Sequence, residues 1–175
     1  LMFIGFHTAA GENGVLAHTI NGRAFYRVKL NGNVVGESDL YAAAGAELGV
    51  PLWLVTGDDH LETWIRNHYP ESQYVCVKRA ISANAAESDS PSIACAKIRK
   101  QATIAVSKPA PLTAGRFSAP YHLELMTARP VLADLFCLIP GVERLDAVTV
   151  GYHSPTVANI ISLLSAFSYL ATTQK

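Results

Sequence analysis

A chain of 175 residues is long enough for one full domain, or for a domain with a small appendage. Its 14 basic residues balance its 14 acidic ones, so no net field draws it to nucleic acid or to an anionic membrane surface. Half of the residues are hydrophobic and only 16% are charged, a thin polar coat for a free monomer, which predicts buried subunit contacts in a homo-oligomer.

The first element is a strand-length apolar run, Met2-Phe3-Ile4-Gly5-Phe6, that ends at His7. A loop rich in Gly, Asn and Glu follows, and His18 comes eleven residues after His7. Ala24–Leu30 alternates as a strand does, and Asn31-Gly32-Asn33 is a hairpin turn signal. The chain then returns to Glu37, with Ser38 and Asp39 as N-cap residues for a helix over Leu40–Leu48 that Gly49 ends. Pro51–Thr56 is a continuous apolar run of the kind buried on both faces, and Gly57-Asp58-Asp59-His60 reads as a turn and helix N-cap. A helix to about His68 leads to another buried strand, Tyr74–Val77. Ala80–Ser90 reads as a polar loop of small residues, and Pro91 starts a helix to about Ser107 whose wet face carries Lys97, Arg99 and Lys100.

Lys108–Arg116, with two prolines and a glycine, reads as a linker. Strand Tyr121–Met126, helix Pro130–Leu138, strand Ala147–Tyr152 and helix Thr156–Thr172 complete the order. The expected fold is α/β: a largely parallel open sheet with flanking helices over residues 1–108, plus a smaller C-terminal β-α-β-α subdomain over 109–175. The uncharged segment 151–174 is long enough to span a bilayer. Asn159, Ser162, Ser165 and Ser168 recur along it at helical spacing, so it is expected to pack in protein, with no membrane partner. Cys76, Cys95 and Cys137 show neither CxxC spacing nor a disulfide framework and read as reduced thiols of a cytoplasmic protein.

His7, His18 and Glu37 each have an ordinary explanation as polar residues at element ends. Two histidines and a carboxylate within about thirty residues, at strand ends and a helix start, nevertheless suit a metal site or an acid–base pair. His68, His122 and His153 are expected to be structural. Gly11–Gly14 has neither GxGxxG spacing nor a P-loop lysine, and no GxSxG elbow occurs.

The phrases GFHT, LAHT, NGNVVGES, VPLWLVTGDD, VKRAISANAAESDSP and LIPGVERLDAVTVGY together resemble the D-aminopeptidase family of DppA-like enzymes, peptidase family M55. The resemblance covers essentially the whole chain. It implies a zinc aminopeptidase with two ions per complete site, releasing N-terminal D-amino acids from dipeptides or short peptides such as D-Ala-D-Ala. By the same resemblance His7 and Glu37 match zinc ligands, His18 matches the catalytic histidine, and the assembly is a ring-like decamer. The family's other ligands, in an Asp-x-Glu phrase and a Ser-His pair, have no counterpart in these 175 residues. The strand already under way at Leu1 is therefore expected to belong to a longer protein, or to work with a separate N-terminal segment. A catalytically incomplete binding or assembly subunit on the same scaffold is the alternative.

Overall fold

The computed structural model describes residues 1–109, 111 and 115–174. The chain opens with the short strand β1 (Met2–Phe3), and a long loop leads to β2 (Phe25–Leu30) and β3 (Asn33–Val34). Helix α1 (Glu37–Glu47), β4 (Leu54–Asp58), α2 (Asp59–His68) and β5 (Gln73–Ser82) follow. Then come β6 (Ala85–Ser88), α3 (Pro91–Ser107), β7 (Tyr121–Thr127) and α4 (Pro130–Phe136). The chain ends with β8 (Glu143–Arg144), β9 (Thr149–Ser154) and α5 (Val157–Ala171).

The fold is α/β and holds two sheets. One, in the order β1-β4-β5-β6, is parallel through β1, β4 and β5. Every residue of β4 is buried, as expected for a strand covered on both faces. The other, in the order β3-β2-β7-β9-β8, is antiparallel throughout. The C-terminal β-α-β-α run contributes β7 and β9 to this second sheet, where β7 pairs with β2 across the 108/109 boundary.

Helix α1 lies between the two sheets. Leu40 and Ala43 join the core that α4 and α5 build on the antiparallel sheet, around Phe25, Leu125, Phe136 and Phe167. Ala42 joins a second core with Phe3, Val55, Leu61 and Ile65 against the parallel sheet. A helix buried on both sides needs small residues all round, which explains the run of alanines and Gly45, where a Cβ would collide with the Leu1 side chain.

Two local readings change. Helix α1 begins at Glu37 with Gly36 as N-cap, and Asp39 sits one turn in, where its Oδ2 accepts the Gly36 N–H at 2.9 Å. The expected loop 80–90 is mostly a hairpin: β5 continues to Ser82 and pairs with β6. Its residues are nearly all exposed, so backbone pairing forms the ladder without the apolar alternation that would have revealed it. Among the described residues no helix is long and apolar enough to cross a membrane.

Candidate active site

After β1 the chain stays beside β4, with the Phe6 N–H on the Thr56 carbonyl at 2.9 Å and the Gly5 N–H on Thr56 Oγ1 at 2.8 Å. This delivers His7 to the carboxyl end of the parallel strands, where α/β folds gather ligands. The loop from His7 to Ile20 is then tied down along its length. Thr8 Oγ1 donates to the Asn13 carbonyl, and the Thr8 carbonyl accepts the His18 N–H. Thr19 Oγ1 accepts from Ala10 and donates to Val35. Gly14, at φ +143°, has no room for a side chain, because a Cβ would run into Thr8 Oγ1.

Asp58 does two jobs at the end of β4. As N-cap of α2 its Oδ1 accepts the Leu61 N–H, and its Oδ2 accepts the Val15 N–H, both at 2.8 Å. The hairpin tip holds the next residue, with the Ala83 carbonyl accepting the Leu16 N–H at 2.7 Å. Leu16 and Ile20 have φ values of 54° and 63°, a region that side-chain-bearing residues seldom occupy and that surrounding contacts must enforce. Here the enforcing contacts are Ala83 on one side and Glu37 on the other, whose Oε1 accepts the Ile20 N–H at 2.9 Å.

Those backbone groups orient the histidines. His7 Nδ1 lies 2.8 Å from the Val15 carbonyl, and His18 Nδ1 lies 2.7 Å from the Leu16 carbonyl. A carbonyl only accepts, so both Nδ1 atoms carry hydrogen, and each ring presents Nε2 for chemistry. The ring centroids are 5.2 Å apart, and His18 Nε2 is 3.4 Å from Glu37 Oε1. Histidines whose second nitrogen is bonded to a backbone carbonyl, beside a carboxylate, have the donor chemistry of zinc ligands. The donors are too few for a closed metal centre: among the described residues no group of three or more His, Cys, Asp or Glu side chains is placed to hold an ion.

A groove of about 410 Å³ opens beside His18, lined by Gly11, Gly14, Leu16, Ala17 and Asn84 among others. An adjoining hollow shares Glu12, Gly14 and Ala83 with it. The structure thus brings His7, His18 and Glu37 together. His68 is at the end of α2, and His122 stacks on His153 across β7 and β9 at 4.3 Å.

The supporting residues were harder to anticipate. Asp58 reads in sequence as an N-cap and is one, but its bond to Val15 spans 43 positions and leaves no local signal. Asp59 is similar: its Oδ1 accepts the Ala80 N–H at 2.8 Å, fastening β5 to the start of α2. That N–H is the main cause holding the Asp59 carboxyl below the usual aspartate range. A folded pKa below the unfolded one gives stability that is present above about pH 4 and is lost as pH falls through the lowered value. Asp59→Asn is therefore expected to flatten the acid limb of stability. Urea midpoints between about pH 2 and 5 would show it, and a slope equal to that of the parent would refute it.

The family model described as D-aminopeptidase, peptidase family M55, matches residues 1–166. A D-aminopeptidase of Bacillus subtilis (strain 168) is 31% identical over 185 aligned residues, covering 97% of this chain and 62% of the relative. Among solved structures, the Zn-dependent D-aminopeptidase DppA from Bacillus subtilis, described as a self-compartmentalizing protease, shares the fold. It superposes with a TM-score of 0.88 at 24% identity, covering 98% of this chain and 62% of that one. The chain therefore spans somewhat less than two thirds of the length of these relatives, 62% in each. With a family match over nearly its whole length and the family's fold, the chain belongs to the D-aminopeptidase family, M55.

Proposed function

We propose that this chain is the catalytic-histidine part of a zinc-dependent aminopeptidase that removes N-terminal D-amino acids from dipeptides or short peptides. The observation that supports it most is the arrangement of His7, His18 and Glu37, with both Nδ1 atoms committed to backbone carbonyls and His18 Nε2 facing the Glu37 carboxylate. His7 Nε2 and the Glu37 carboxylate would hold zinc, two ions in a complete site, with further donors from outside the described residues. Bound zinc supplies Lewis-acid polarisation of a carbonyl and makes water more acidic.

His18 does the proton work. Its Nδ1 is locked on Leu16, so a proton moves only at Nε2: taken from the attacking water, then passed to the departing amine. Its side chain is one-third exposed, at 32%, which gives a substrate in the groove access to that nitrogen. Assembly as a homo-oligomer fits the low charge content, and the three free cysteines suit a reducing, cytoplasmic setting.

His7→Ala and Glu37→Ala are each expected to lower zinc content of the purified protein by about tenfold or more at a fixed metal concentration, read by atomic absorption. Unchanged zinc in both variants would remove these residues from the metal site. The absence of any three-donor group among the described residues favours a second reading, a binding or assembly subunit with an incomplete centre. Parent protein that carries almost no zinc after loading would select it.

A further inference from the structure

The antiparallel sheet has a face turned away from the core of α4 and α5. On it, Arg27, Met126 and Thr149 stand opposite one another across β2, β7 and β9, and Lys29 opposes Glu124 in a neighbouring row. These residues and Asp146 line a cavity of about 210 Å³. Leu145 walls it off, packed where a Cβ on Gly151 would stand.

Two observations show that the cavity's polar groups are incompletely used. Among the described residues, three buried side-chain polar atoms have no hydrogen-bonding partner: Arg27 Nε, Ser38 Oγ and Thr149 Oγ1. Two of the three belong to the ends of this one row. The cations are also only loosely neutralised, Arg27 by Glu12 and Lys29 by Glu124, each at 3.8 Å. Buried polar atoms left unpaired cost stability, and a ligand that pairs them recovers it.

The charges are sorted by wall. Arg27 and Lys29 stand on β2, and Asp146 stands beside Thr149 at the far side. Asp146 Oδ1 accepts the Val148 and Thr149 N–H groups at 2.8 and 2.7 Å. The Val148 N–H is the main cause holding the Asp146 carboxyl below its ordinary range. β2 and β9 are two strand spacings apart, about 10 Å, and side chains on one face rise side by side. Cations on one wall and a carboxylate on the other suit a small ligand that carries both charges, and a cavity of about 210 Å³ limits its size.

We propose that this cavity binds a free α-amino acid as its zwitterion, the carboxylate on Arg27 and Lys29 and the ammonium on Asp146 and the Thr149 hydroxyl. The cavity is too small for the drug-sized ligands that fill pockets of about 300 Å³ or more. The ligand class follows from the cavity's charges alone, and only the D configuration of the probe rests on the aminopeptidase reading.

D-alanine is the probe, with acetate and methylamine as half-ligands, read by titration of the amide resonances of Thr149 and Gly151 and by thermal shift. D-alanine is expected to shift those amides and raise Tm, with each half-ligand binding about tenfold more weakly or worse. Arg27→Met and Thr149→Val are each expected to weaken D-alanine about tenfold. Thr149→Val keeps a β-branched side chain of nearly the same shape, so the sheet is preserved and the free variant melts no lower than the parent. Binding that survives in His18→Ala separates this cavity from the groove. Acetate binding as tightly as D-alanine, undiminished affinity in both cavity variants, or loss of binding in His18→Ala would overturn the proposal.

Discussion

On the aminopeptidase reading proposed above, replacing His18 by alanine is expected to lower turnover of a D-alanyl dipeptide by two to four orders of magnitude, the usual worth of a positioned general acid–base group. The fold should survive. The side chain is one-third exposed, and its loss removes one hydrogen bond to a backbone carbonyl and one contact with Glu37. Zinc content should survive as well, since the proposed ligands His7 and Glu37 remain. Steady-state kinetics together with metal analysis separate the possibilities. Loss of turnover with zinc retained assigns His18 to proton transfer, and loss of both makes it a ligand instead. Full activity would remove it from the chemistry.

The largest stability effect is expected from Asp39→Ala. Asp39 is fully buried, and its two oxygens accept from four donors. These are the Gly36 N–H and Trp64 Nε1 on Oδ2, and the Tyr69 hydroxyl and Arg116 Nη1 on Oδ1, at 2.9 to 3.0 Å. Burial first, and then this carboxylate, push the Tyr69 hydroxyl pKa far upward, so Tyr69 stays a donor at any pH the fold tolerates. The Arg116 guanidinium also lies over the Trp64 and Phe117 rings. Removing the carboxylate leaves a mostly buried cation and three further donors without an acceptor. A loss of about 3–5 kcal/mol in urea unfolding is expected. A loss under about 1 kcal/mol would mean that the site relaxes and its donors find other acceptors.

Much of this molecule was legible because its signals are local. The start of α5 near Thr156, the Pro91 start of α3 and the buried run of β4 can each be read within a few residues. The grouping of His7, His18 and Glu37 was legible for a similar reason: one loop, one hairpin and one helix start carry all three within thirty-one positions. What escaped is what distance in sequence hides. Asp39 reads as a helix cap, yet its partner Arg116 is 77 positions away. The pairing of β2 with β7 joins residues roughly a hundred positions apart, and nothing in an alternating pattern names its partner. The exposed β5–β6 hairpin has too little apolar contrast to announce itself.

The two oxygens of Asp58 join parts of the protein that would otherwise fluctuate on their own. One ends in the first turn of α2 and the other in the loop that aims His7, whose Nδ1 rests on the carbonyl of the very residue Asp58 holds. Fraying of that helix turn and loosening of the histidine loop at Val15 are therefore coupled through one side chain. How firmly α2 begins thus bears directly on how well His7 is aimed.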